Sequence, residues 1–481
     1  MSPSPADAIP AAQALFKLDI EHLLLPVLVQ LVVIIAAARL FGALARKLGQ
    51  PSVVGEIAAG LLLGPSLLGW LSPDLFVTLF KPALEGVPQP LADAVLPKIF
   101  TVIAQFGLIF LLFLVGLELE PAHVRQSRRA VALIAIAGLV LPFALGAALA
   151  LLVHPRLEPH PLAGPVPLAG VVLFVGLTLS VTAIPVLGRI MMELNITRTR
   201  LGAVTLASAG VSDAGGWILL ASITALLKSN FDPLQTLRMV GLTAGFALAM
   251  WFVVRPALVR YFRYSLRQNR GRLSATGLAV LLVCVLLASV ATNLIGIFAV
   301  FGAFLLGAVL SDQEELRRAA RAKLHDLVTS FFVPVLLAYT GLRTDITALH
   351  GTAMWLVCAA LVAAAVAGKL AGCGLAARLS GFTWKESGII GAMMNARGLM
   401  ALIAINMGDE LGVVPRSLFC VLVIMALATT VLTTPLLLAL RRGTEIEEPI
   451  ARSGFLGEPA ADEDEGQDPS LVASPPATTQ R

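Results

Sequence analysis

The sequence predicts an all-α polytopic membrane protein with about thirteen transmembrane helices. Of the 481 residues, 57% are hydrophobic and 14% are charged, and the mean hydropathy is +0.87. These values lie far outside the range of a soluble domain. The apolar residues are grouped in stretches of about 20 residues, the length that a helix needs to cross roughly 30 Å of hydrocarbon. Most of the chain is therefore expected to lie within a bilayer.

Each predicted helix corresponds to one apolar stretch bounded by charged, proline or glycine residues. The stretches run approximately over 20–45, 52–70, 98–118, 130–153, 165–193, 201–227, 235–262, 274–293, 295–311, 326–342, 351–377, 386–407 and 415–440. Residues 1–19 contain three prolines and no basic–apolar–small pattern, so we expect no cleaved signal peptide and a retained first helix.

Basic residues are concentrated in every second loop, which predicts the orientation of the chain in the membrane. The loops concerned contain Arg46 and Lys47, Arg125 to Arg129, Arg198 and Arg200, Arg260 to Arg272, Arg317 to Lys323, Arg378 and Lys385, and Arg441 and Arg442. By the positive-inside rule, the N-terminus lies outside the cell and the C-terminus in the cytoplasm, as in a multi-pass protein of the cell (inner or plasma) membrane. The formal charge of +5 therefore indicates membrane orientation, and no nucleic-acid partner is expected.

Neither the cysteines nor the C-terminal segment predicts a cofactor or a second folded domain. The four cysteines lie in separate apolar segments without paired spacing, so a zinc site or disulfide framework is not expected. Residues 443–481 are rich in acidic residues, proline, alanine and serine, and predict a disordered cytoplasmic tail. No nucleotide-binding pattern occurs, and no enzymatic activity or cofactor is predicted.

Short stretches recur in the same order along the chain. Residues 59–64 (AGLLLG) are similar to 302–307 (GAFLLG), and the Gly116–Leu117 pair is similar to Gly341–Leu342. This relation pairs helices one to six with helices eight to thirteen. Because seven helices separate the two units, the second enters the membrane from the opposite side, and inverted repeats are typical of transporters. The alternative is that glycine-rich membrane helices resemble one another by composition alone.

Asp213 is the first candidate functional residue, because it is the only ionisable side chain between Leu201 and Leu227. A carboxylate at the centre of a membrane helix costs about 2.5–3.5 kcal/mol on insertion scales. Intramembrane acids are accordingly paired or face a wet cavity, and they handle ions or protons.

Two other segments predict helices that are broken within the membrane. In helix five, Thr182 belongs to a polar run that ends at Pro185, where the helix should break or kink. Thr182 is either an ion ligand or a residue that caps a proline kink. In helix twelve, Asn395 and Arg397 stand beside Gly398, a combination that suits an unwound crossing. Arg397 could there face the negative C-terminal end of a half-helix.

Lys369 is the only charge in the apolar part of helix eleven, nine residues before Arg378. This separation corresponds to roughly 14 Å along a helix, too deep for easy snorkelling. We therefore expect a carboxylate or carbonyl partner for Lys369. Glu56 and Glu118 lie near helix ends and are expected to be solvated, although Glu56 could also gate a cytoplasmic entrance.

One partly desolvated acid binds either a proton or a small cation, and this competition amounts to exchange. Oxygen atoms of Asp213, Ser212, Thr182 and Asn395 would suit a monovalent ion such as Na⁺ or K⁺, without a choice between the two. A second possibility is sodium-coupled uptake of a small organic anion, with Arg397 holding its carboxylate. An intramembrane protease would need two opposed aspartates, and only one deep acid is present.

Several stretches together resemble the monovalent cation:proton antiporter superfamily, with the sodium/hydrogen exchanger fold, and in particular its plant-type cation/proton exchanger branch. They are Gly60–Ser66, Gln105–Gly107, Leu114–Glu118, Ser180–Leu187, Phe332–Pro334, Tyr339–Arg343, Met394–Met400 and Thr433–Leu436. These stretches are spread over nearly the whole membrane region, and their joint occurrence in this order is far more specific than any one of them.

The resemblance implies a dimeric elevator-type exchanger in which helices five and twelve are the crossed broken pair. It implies that residues 20–442 form one antiporter domain after an external segment, 1–19. Within this domain, the scaffold would comprise 20–118 and 274–342, the core 130–227 and 351–440, and the linker helix 235–262. Asp213 would carry the ion or proton, and Lys369 would be the core lysine.

One departure from the family pattern concerns the residue before the essential acid. That residue is usually Asn, Asp or Gln, and here it is Ser212. Two adjacent acids are associated with electrogenic exchange, in which the first acid pairs with the core lysine. With a single titrating acid, one-for-one exchange is favoured unless Lys369 itself releases a proton.

Overall fold

The structure, a computed structural model, describes residues 20–83, 88–119, 126–159, 164–227, 233–342 and 352–455. The predicted external segment 1–19 and the end of the predicted tail, 456–481, lie outside the described residues, as does Arg343 of the family-like stretch around Gly341.

The described chain is built from α-helices, which we number in chain order. They are α1 Ile20–Lys47, α2 Ser52–Leu63, α3 Leu68–Leu71, α4 Pro73–Phe80, α5 Gln89–Leu117, α6 Arg128–Val153, α7 Leu168–Ser180, α8 Ile184–Glu193, α9 Arg200–Leu227, α10 Pro233–Ala249, α11 Arg255–Gln268, α12 Ala275–Ile295, α13 Ala299–Leu310, α14 Glu314–Leu327, α15 Val333–Leu342, α16 Thr352–Leu379, α17 Trp384–Met393, α18 Leu399–Glu410, α19 Arg416–Leu440 and α20 Glu447–Arg452. Short π-helical segments, Met250–Val254 and Val328–Phe332, join α10 to α11 and α14 to α15.

The predicted class, an all-α polytopic membrane protein, is confirmed. Within the described residues, eleven helical stretches are long and apolar enough to cross a membrane, with the α7/α8 pair counted as one stretch. The remaining predicted segments correspond to α13, a shorter apolar helix, and to the α17/α18 pair, whose halves are too short individually. The thirteen predicted segments therefore all coincide with helical structure.

Local sequence signals explain several helix ends. Thr383 and Glu386 form a capping box that starts α17, with the Thr383 hydroxyl accepting from the Glu386 amide and the Glu386 carboxylate accepting from the Thr383 amide. Gly296 ends α12 in the left-handed conformation, at φ 99°, which glycine adopts without a steric penalty. The sharp connection from α12 to α13 follows from this glycine.

The helices pack as two bundles. In the first bundle, α2 packs on α1 and α15, and α5 packs on α13 and α15. In the second bundle, α6 packs on α7, α9 and α16, and α19 packs on α16, α17 and α18. The half-helix α8 connects them, because it packs on α9 and also on α2 and α5.

Glycines at matching places support the internal repeat and correct its register. A Cβ on Gly60 of α2 would lie 1.8 Å from the Ala338 carbonyl oxygen of α15, and a Cβ on Gly307 of α13 would lie 2.3 Å from the Phe113 carbonyl oxygen of α5. Gly60 and Gly307 therefore occupy equivalent positions. The sequence comparison had aligned Gly64 with Gly307 and was wrong by four residues, about one helical turn.

The preceding helix contact in each repeat gives the same corrected register. A Cβ on Gly55 would lie 2.1 Å from the Phe41 carbonyl oxygen of α1, and one on Gly302 would lie 2.0 Å from the Ala288 carbonyl oxygen of α12. Similar strings misled the alignment because glycine and leucine recur at turn-length spacing in both helices.

The predicted linker helix, 235–262, is longer than expected. It comprises α10, a π-helical turn and α11, and continues to Gln268. The charged end remains helical because Phe262 and Leu266 form a buried apolar face while the arginines point outward. The helix predicted over 326–342 likewise begins earlier, at Glu314, as the amphipathic helix α14.

The prediction of a disordered tail from residue 443 was wrong for residues 443–455. This segment contains α20 and folds back on the second bundle, where Ile446 and Ile450 are buried. Glu445 accepts a hydrogen bond from the Leu201 backbone amide, at the start of α9. Composition suggested disorder because acidic residues dominate, whereas two isoleucines one turn apart are sufficient to anchor the segment.

Candidate ion-binding site at the crossed helices

Two interrupted helices meet in the second bundle. The α7/α8 pair is interrupted over residues 181–183, and the α17/α18 pair over residues 394–398. The Ala183 amide donates to the Ala396 carbonyl oxygen at 2.9 Å, and Thr182 Oγ1 donates to the Met394 carbonyl oxygen at 3.0 Å. The predicted pair of crossed broken helices is therefore confirmed, with backbone polar groups of each interruption satisfied by the other.

The first interruption lies before Pro185, not at it as the sequence analysis expected. Helix α7 ends at Ser180, and Pro185 lies in the first turn of α8. A proline is tolerated there because the first-turn amides of a helix have no intrahelical acceptor. The proline therefore starts the second half-helix and leaves the polar residues Ser180 and Thr182 at the gap.

Asp213 lies in α9, buried beside this crossing with only 4% of its surface exposed. Gly216, three residues later, faces the crossing: an added Cβ would lie 3.0 Å from Val181 Cγ1 and 2.6 Å from Met400 Cε. At this position α9 therefore packs closely on Val181 of the first interruption and on Met400 at the start of α18. Trp217 lies one helical turn after Asp213 in α9.

Lys369 is fully buried and is held by oxygen atoms of the protein. Its Nζ atom donates to the carbonyl oxygens of Gly138, at 2.8 Å, and Ser180, at 2.6 Å, and to Thr182 Oγ1, at 2.7 Å. Of the two kinds of partner expected for Lys369, a carboxylate or a carbonyl, the structure shows carbonyls. Among the described residues, no hydrogen bond or ion pair joins Lys369 to Asp213.

Arg397 is also buried, and its guanidinium group ties the two interruptions together. Nη1 donates to Asn395 Oδ1 at 2.8 Å, and Nη2 donates to the Leu179 carbonyl oxygen at the end of α7. This geometry matches the expected placement of a cation at the negative end of a half-helix. A guanidinium group engaged in this way is poorly placed to hold the carboxylate of an organic anion.

The four predicted cation ligands differ in the protein contacts that they already make. Thr182 both accepts from Lys369 and donates to Met394, and Asn395 accepts from Arg397 and donates to the Thr429 carbonyl oxygen at 3.3 Å. Ser212 is fully buried, and its Oγ atom has no hydrogen-bond partner in the described part of the chain. Ser212 and Asp213 therefore form the most available oxygen pair beside the crossing.

Sequence reasoning missed the role of Thr430 in α19. Its hydroxyl donates to the Arg397 carbonyl oxygen at 2.6 Å, and its Oγ1 atom accepts from the Arg397 backbone amide at 3.0 Å. Thr430 thus serves backbone groups that the interruption leaves without helical partners. The sequence did contain a signal for this role, because four threonines that prove to be buried lie close together in an apolar helix: Thr429, Thr430, Thr433 and Thr434.

Comparison with known proteins gives independent information on the family. The sequence profile of the family described as "Sodium/hydrogen exchanger, transmembrane" matches residues 32–439. The chain is 38% identical over 424 residues to the Na⁺/H⁺ antiporter NhaS4 of Synechocystis sp. (strain ATCC 27184 / PCC 6803 / Kazusa), an alignment that covers 87% of this chain and 98% of that protein.

Two further similarities extend this result. The chain is 35% identical to cation/H⁺ antiporter 17 of Arabidopsis thaliana, over 87% of this chain but only 49% of the plant protein. Its fold matches the structure of the sodium proton antiporter MjNhaP1 of Methanocaldococcus jannaschii with a TM-score of 0.58 and 16% identity, over 86% of this chain and 96% of that one. The chain belongs to the sodium/hydrogen exchanger family of monovalent cation/proton antiporters.

Proposed function

We propose that this protein exchanges Na⁺ or K⁺ for H⁺, with Asp213 as the group that carries either the cation or the proton. The observation that carries this proposal is the position of Asp213, a buried acid beside the only crossing of two interrupted helices in the described residues. One carboxylate in such a place cannot hold a cation and a proton together without a large electrostatic cost, so the two compete.

The ion would be held by Asp213 and Ser212, whose buried hydroxyl has no partner among the residues that the structure describes. Thr182 and Asn395 would contribute only after rearrangement of the crossing, because both are engaged with Lys369, Arg397 and backbone carbonyls. Lys369 and Arg397 would act as fixed positive charges that stabilise the interrupted backbone. The transported cation is substrate here and not a resident cofactor.

Alternating access would arise from movement of the second bundle against the first. Contacts within the first bundle bring backbones together at glycines, such as Gly60 and Gly307. Near Asp213, the bundles meet through side chains instead: the Trp217 ring stacks on Phe298 with centroids 4.6 Å apart. A side-chain interface of this kind can slide more readily than interlocked backbones, as elevator movement requires.

We also propose a homodimer formed through the first bundle, located in the cell membrane with the N-terminus outside. The orientation rests on the basic loops, and the dimer rests on the family resemblance. Accessibility of single engineered cysteines at residues 47 and 159 to a membrane-impermeant reagent tests the orientation, because these positions are predicted to face opposite sides. Size-exclusion chromatography with light scattering tests the oligomeric state.

Flux measurements in proteoliposomes test the proposed carrier. An imposed pH gradient is expected to drive cation-dependent proton flux in the natural protein and to drive none in Asp213→Asn. Asp93→Asn is the matched control, since Asp93 is an exposed acid at the start of α5 and should leave the flux unchanged. Flux that survives in folded Asp213→Asn protein would refute the assignment. Comparison of Na⁺, K⁺ and Li⁺ in the same vesicles would identify the ion.

A further inference from the structure

An arginine-rich cavity lies at the end of the molecule that carries the basic loops, away from the crossed helices. It has a volume of about 260 Å³ and opens where α1, α2, α8 and α14 approach one another. Its charged and titratable lining consists of Arg39, Arg46, Glu56, Arg189, Glu193, Arg321 and His325. Three of these four arginines belong to the first bundle, and Arg189 belongs to the half-helix α8.

In this cavity, the Glu56 carboxylate could accept a further hydrogen bond. Glu56 was predicted to be solvated, but it is buried in α2 with 1% of its surface exposed. Its Oε2 atom has no hydrogen-bond partner among the described residues. A buried carboxylate oxygen without a donor costs free energy, so a molecule in the cavity that brings a donor would relieve this cost.

The arginines of the cavity, in contrast, have N–H groups that could donate to further acceptors. Arg189 Nε is buried and has no hydrogen-bond partner in the described part of the chain, and Arg189 Nη2 lies 3.5 Å from Ser52 Oγ. Arg39 and Arg321 each use one nitrogen, toward the Thr329 carbonyl oxygen and Glu118 respectively, and retain further N–H groups. Guanidinium groups in this arrangement suit the oxygen atoms of a phosphate, which they bind in a planar, two-pronged geometry.

The second acid in the lining, Glu193, has both carboxylate oxygens hydrogen-bonded to Ser52, and with Glu56 it leaves two carboxylates against four arginines. Its two carboxylate oxygens lie 3.0 Å from the Ser52 amide, and Oε2 accepts from Ser52 Oγ at 2.7 Å. Glu193 thus caps the N-terminus of α2, where a negative charge is favourable. The cavity is left with an excess of positive charge and one unsatisfied carboxylate oxygen.

We propose that this cavity binds a phosphate group that retains a hydroxyl: inorganic hydrogen phosphate or the monoester headgroup of an anionic lipid. The phosphate oxygens would accept from Arg46, Arg189 and their neighbours, while the phosphate O–H would donate to Glu56. Sulfate and phosphodiesters lack this O–H and would place a bare oxygen against the Glu56 carboxylate. The site therefore discriminates by protonation state as well as by charge.

Binding would also connect the two bundles. Arg189 lies on α8 of the second bundle, whereas Arg39 and Arg46 lie on α1 of the first. A phosphate shared between them would hold the bundles in the present arrangement and slow their relative movement. This consequence rests on the elevator mechanism proposed above, but the binding itself does not.

Isothermal titration of the purified full chain with phosphate and with sulfate, at matched ionic strength, tests the site. We expect phosphate to bind at least tenfold more tightly than sulfate. Glu56→Gln should bring the two affinities together, because an amide N–H can donate to sulfate. Arg46→Gln should weaken phosphate binding, and Arg318→Gln, an exposed residue of α14 outside the cavity, should not change it.

Equal affinities for phosphate and sulfate in the natural protein, or an unchanged preference in folded Glu56→Gln protein, would overturn the proposal. If Glu56→Gln does not fold, Arg46→Gln decides the matter, because Arg46 is exposed and its replacement removes no buried contact. Phosphate affinity that is the same in Arg46→Gln and in the natural protein would then overturn it.

The source of the phosphate group is distinguished with lipid vesicles. If the protein binds vesicles with phosphatidic acid but not vesicles with phosphatidylglycerol, and Glu56→Gln abolishes this difference, the ligand is a lipid headgroup. If it binds only free phosphate, the ligand is the soluble anion. Absence of both would overturn the inference while leaving cation flux through Asp213 intact. Conversely, flux that survives in Asp213→Asn would refute the proposed carrier without affecting phosphate binding.

Discussion

The Lys369 ammonium lies 2.7 Å from Thr182 Oγ1 and 2.6 Å from the Ser180 carbonyl oxygen, at the interruption between α7 and α8. A buried cation thus replaces the helical amides that these residues lack at the gap. Lys369 also reaches the Gly138 carbonyl oxygen of α6, so it joins three helices of the second bundle. Its position accounts for a lysine deep in an apolar helix by these oxygen partners alone.

Replacement of Lys369 by alanine is expected to destabilise the protein strongly. Three buried oxygen atoms would lose their donor, at about 1–3 kcal/mol for each acceptor left unsatisfied. Lys369→Gln, which retains N–H donors, should recover part of the loss. Thermal unfolding monitored in detergent measures both, with Lys385→Ala as control because Lys385 is exposed and donates only to the Arg442 carbonyl oxygen. An unfolding temperature unaffected by Lys369→Ala would contradict this structural role.

Ser212→Ala is expected to weaken cation binding without lowering the stability of the fold. The Ser212 hydroxyl has no protein partner, so its loss breaks no described hydrogen bond. We expect the cation concentration for half-maximal flux to rise about five- to tenfold, equivalent to about 1–1.4 kcal/mol for one lost oxygen ligand. Ser208→Ala is the matched control, because Ser208 is buried one turn earlier and donates to the Val204 carbonyl oxygen. Similar affinities for Ser212→Ala and the natural protein would remove Ser212 from the ligand set.

Exchange is expected to be electrically silent. With serine instead of a second acid before Asp213, one cation replaces one proton, and an imposed membrane potential should not change the flux. Ser212→Asp adds a second carboxylate and should make the flux depend on voltage. Flux measured with a potassium–valinomycin potential in Na⁺ vesicles distinguishes these cases. Voltage-dependent flux in the natural protein would instead indicate that a second group, such as Lys369, exchanges a proton.

Alanine at the equivalent glycines of the repeat should prevent normal assembly. A Cβ on Gly60 or Gly307 would overlap a carbonyl oxygen of the facing helix, at 1.8 Å and 2.3 Å. Either substitution must push two helices apart, and we expect little monodisperse protein in size-exclusion chromatography. Gly241→Ala is the control, because nothing lies within 4 Å of its added Cβ and alanine favours a helix by about 1 kcal/mol. Normal yield of Gly60→Ala would show that the α2–α15 contact tolerates more space.

Two threonines of α19 provide a matched test of the interruption after α17. Thr430→Val removes a hydroxyl that serves both the amide and the carbonyl group of Arg397, so we expect a loss of about 1–3 kcal/mol and a lower unfolding temperature. Thr434→Val removes a buried hydroxyl that has no partner, and should be neutral or stabilising. The reverse order of stabilities would show that Thr430 does not support the interrupted backbone.

Much of this architecture follows from one-dimensional properties of the chain. Helices in a bilayer satisfy their own backbone hydrogen bonds, so apolar length alone located the thirteen segments. Asp213, Lys369, Asn395 and Arg397 were recognisable for a related reason: a polar group in hydrocarbon is costly and needs an explanation. These are properties of each segment separately, and they can be recognised without knowledge of the neighbouring segments.

Tertiary structure decided which polar groups meet. The sequence predicted a break of helix five at Pro185, whereas the proline only starts α8. Packing also decides that Lys369 donates to the carbonyls of Gly138 and Ser180. The partners of Thr430, the burial of Glu56 and the register of the repeat were likewise not readable, because each depends on distances between segments far apart in the chain. Burial and hydrogen-bond partners are properties of pairs of helices, and only their packing determines them.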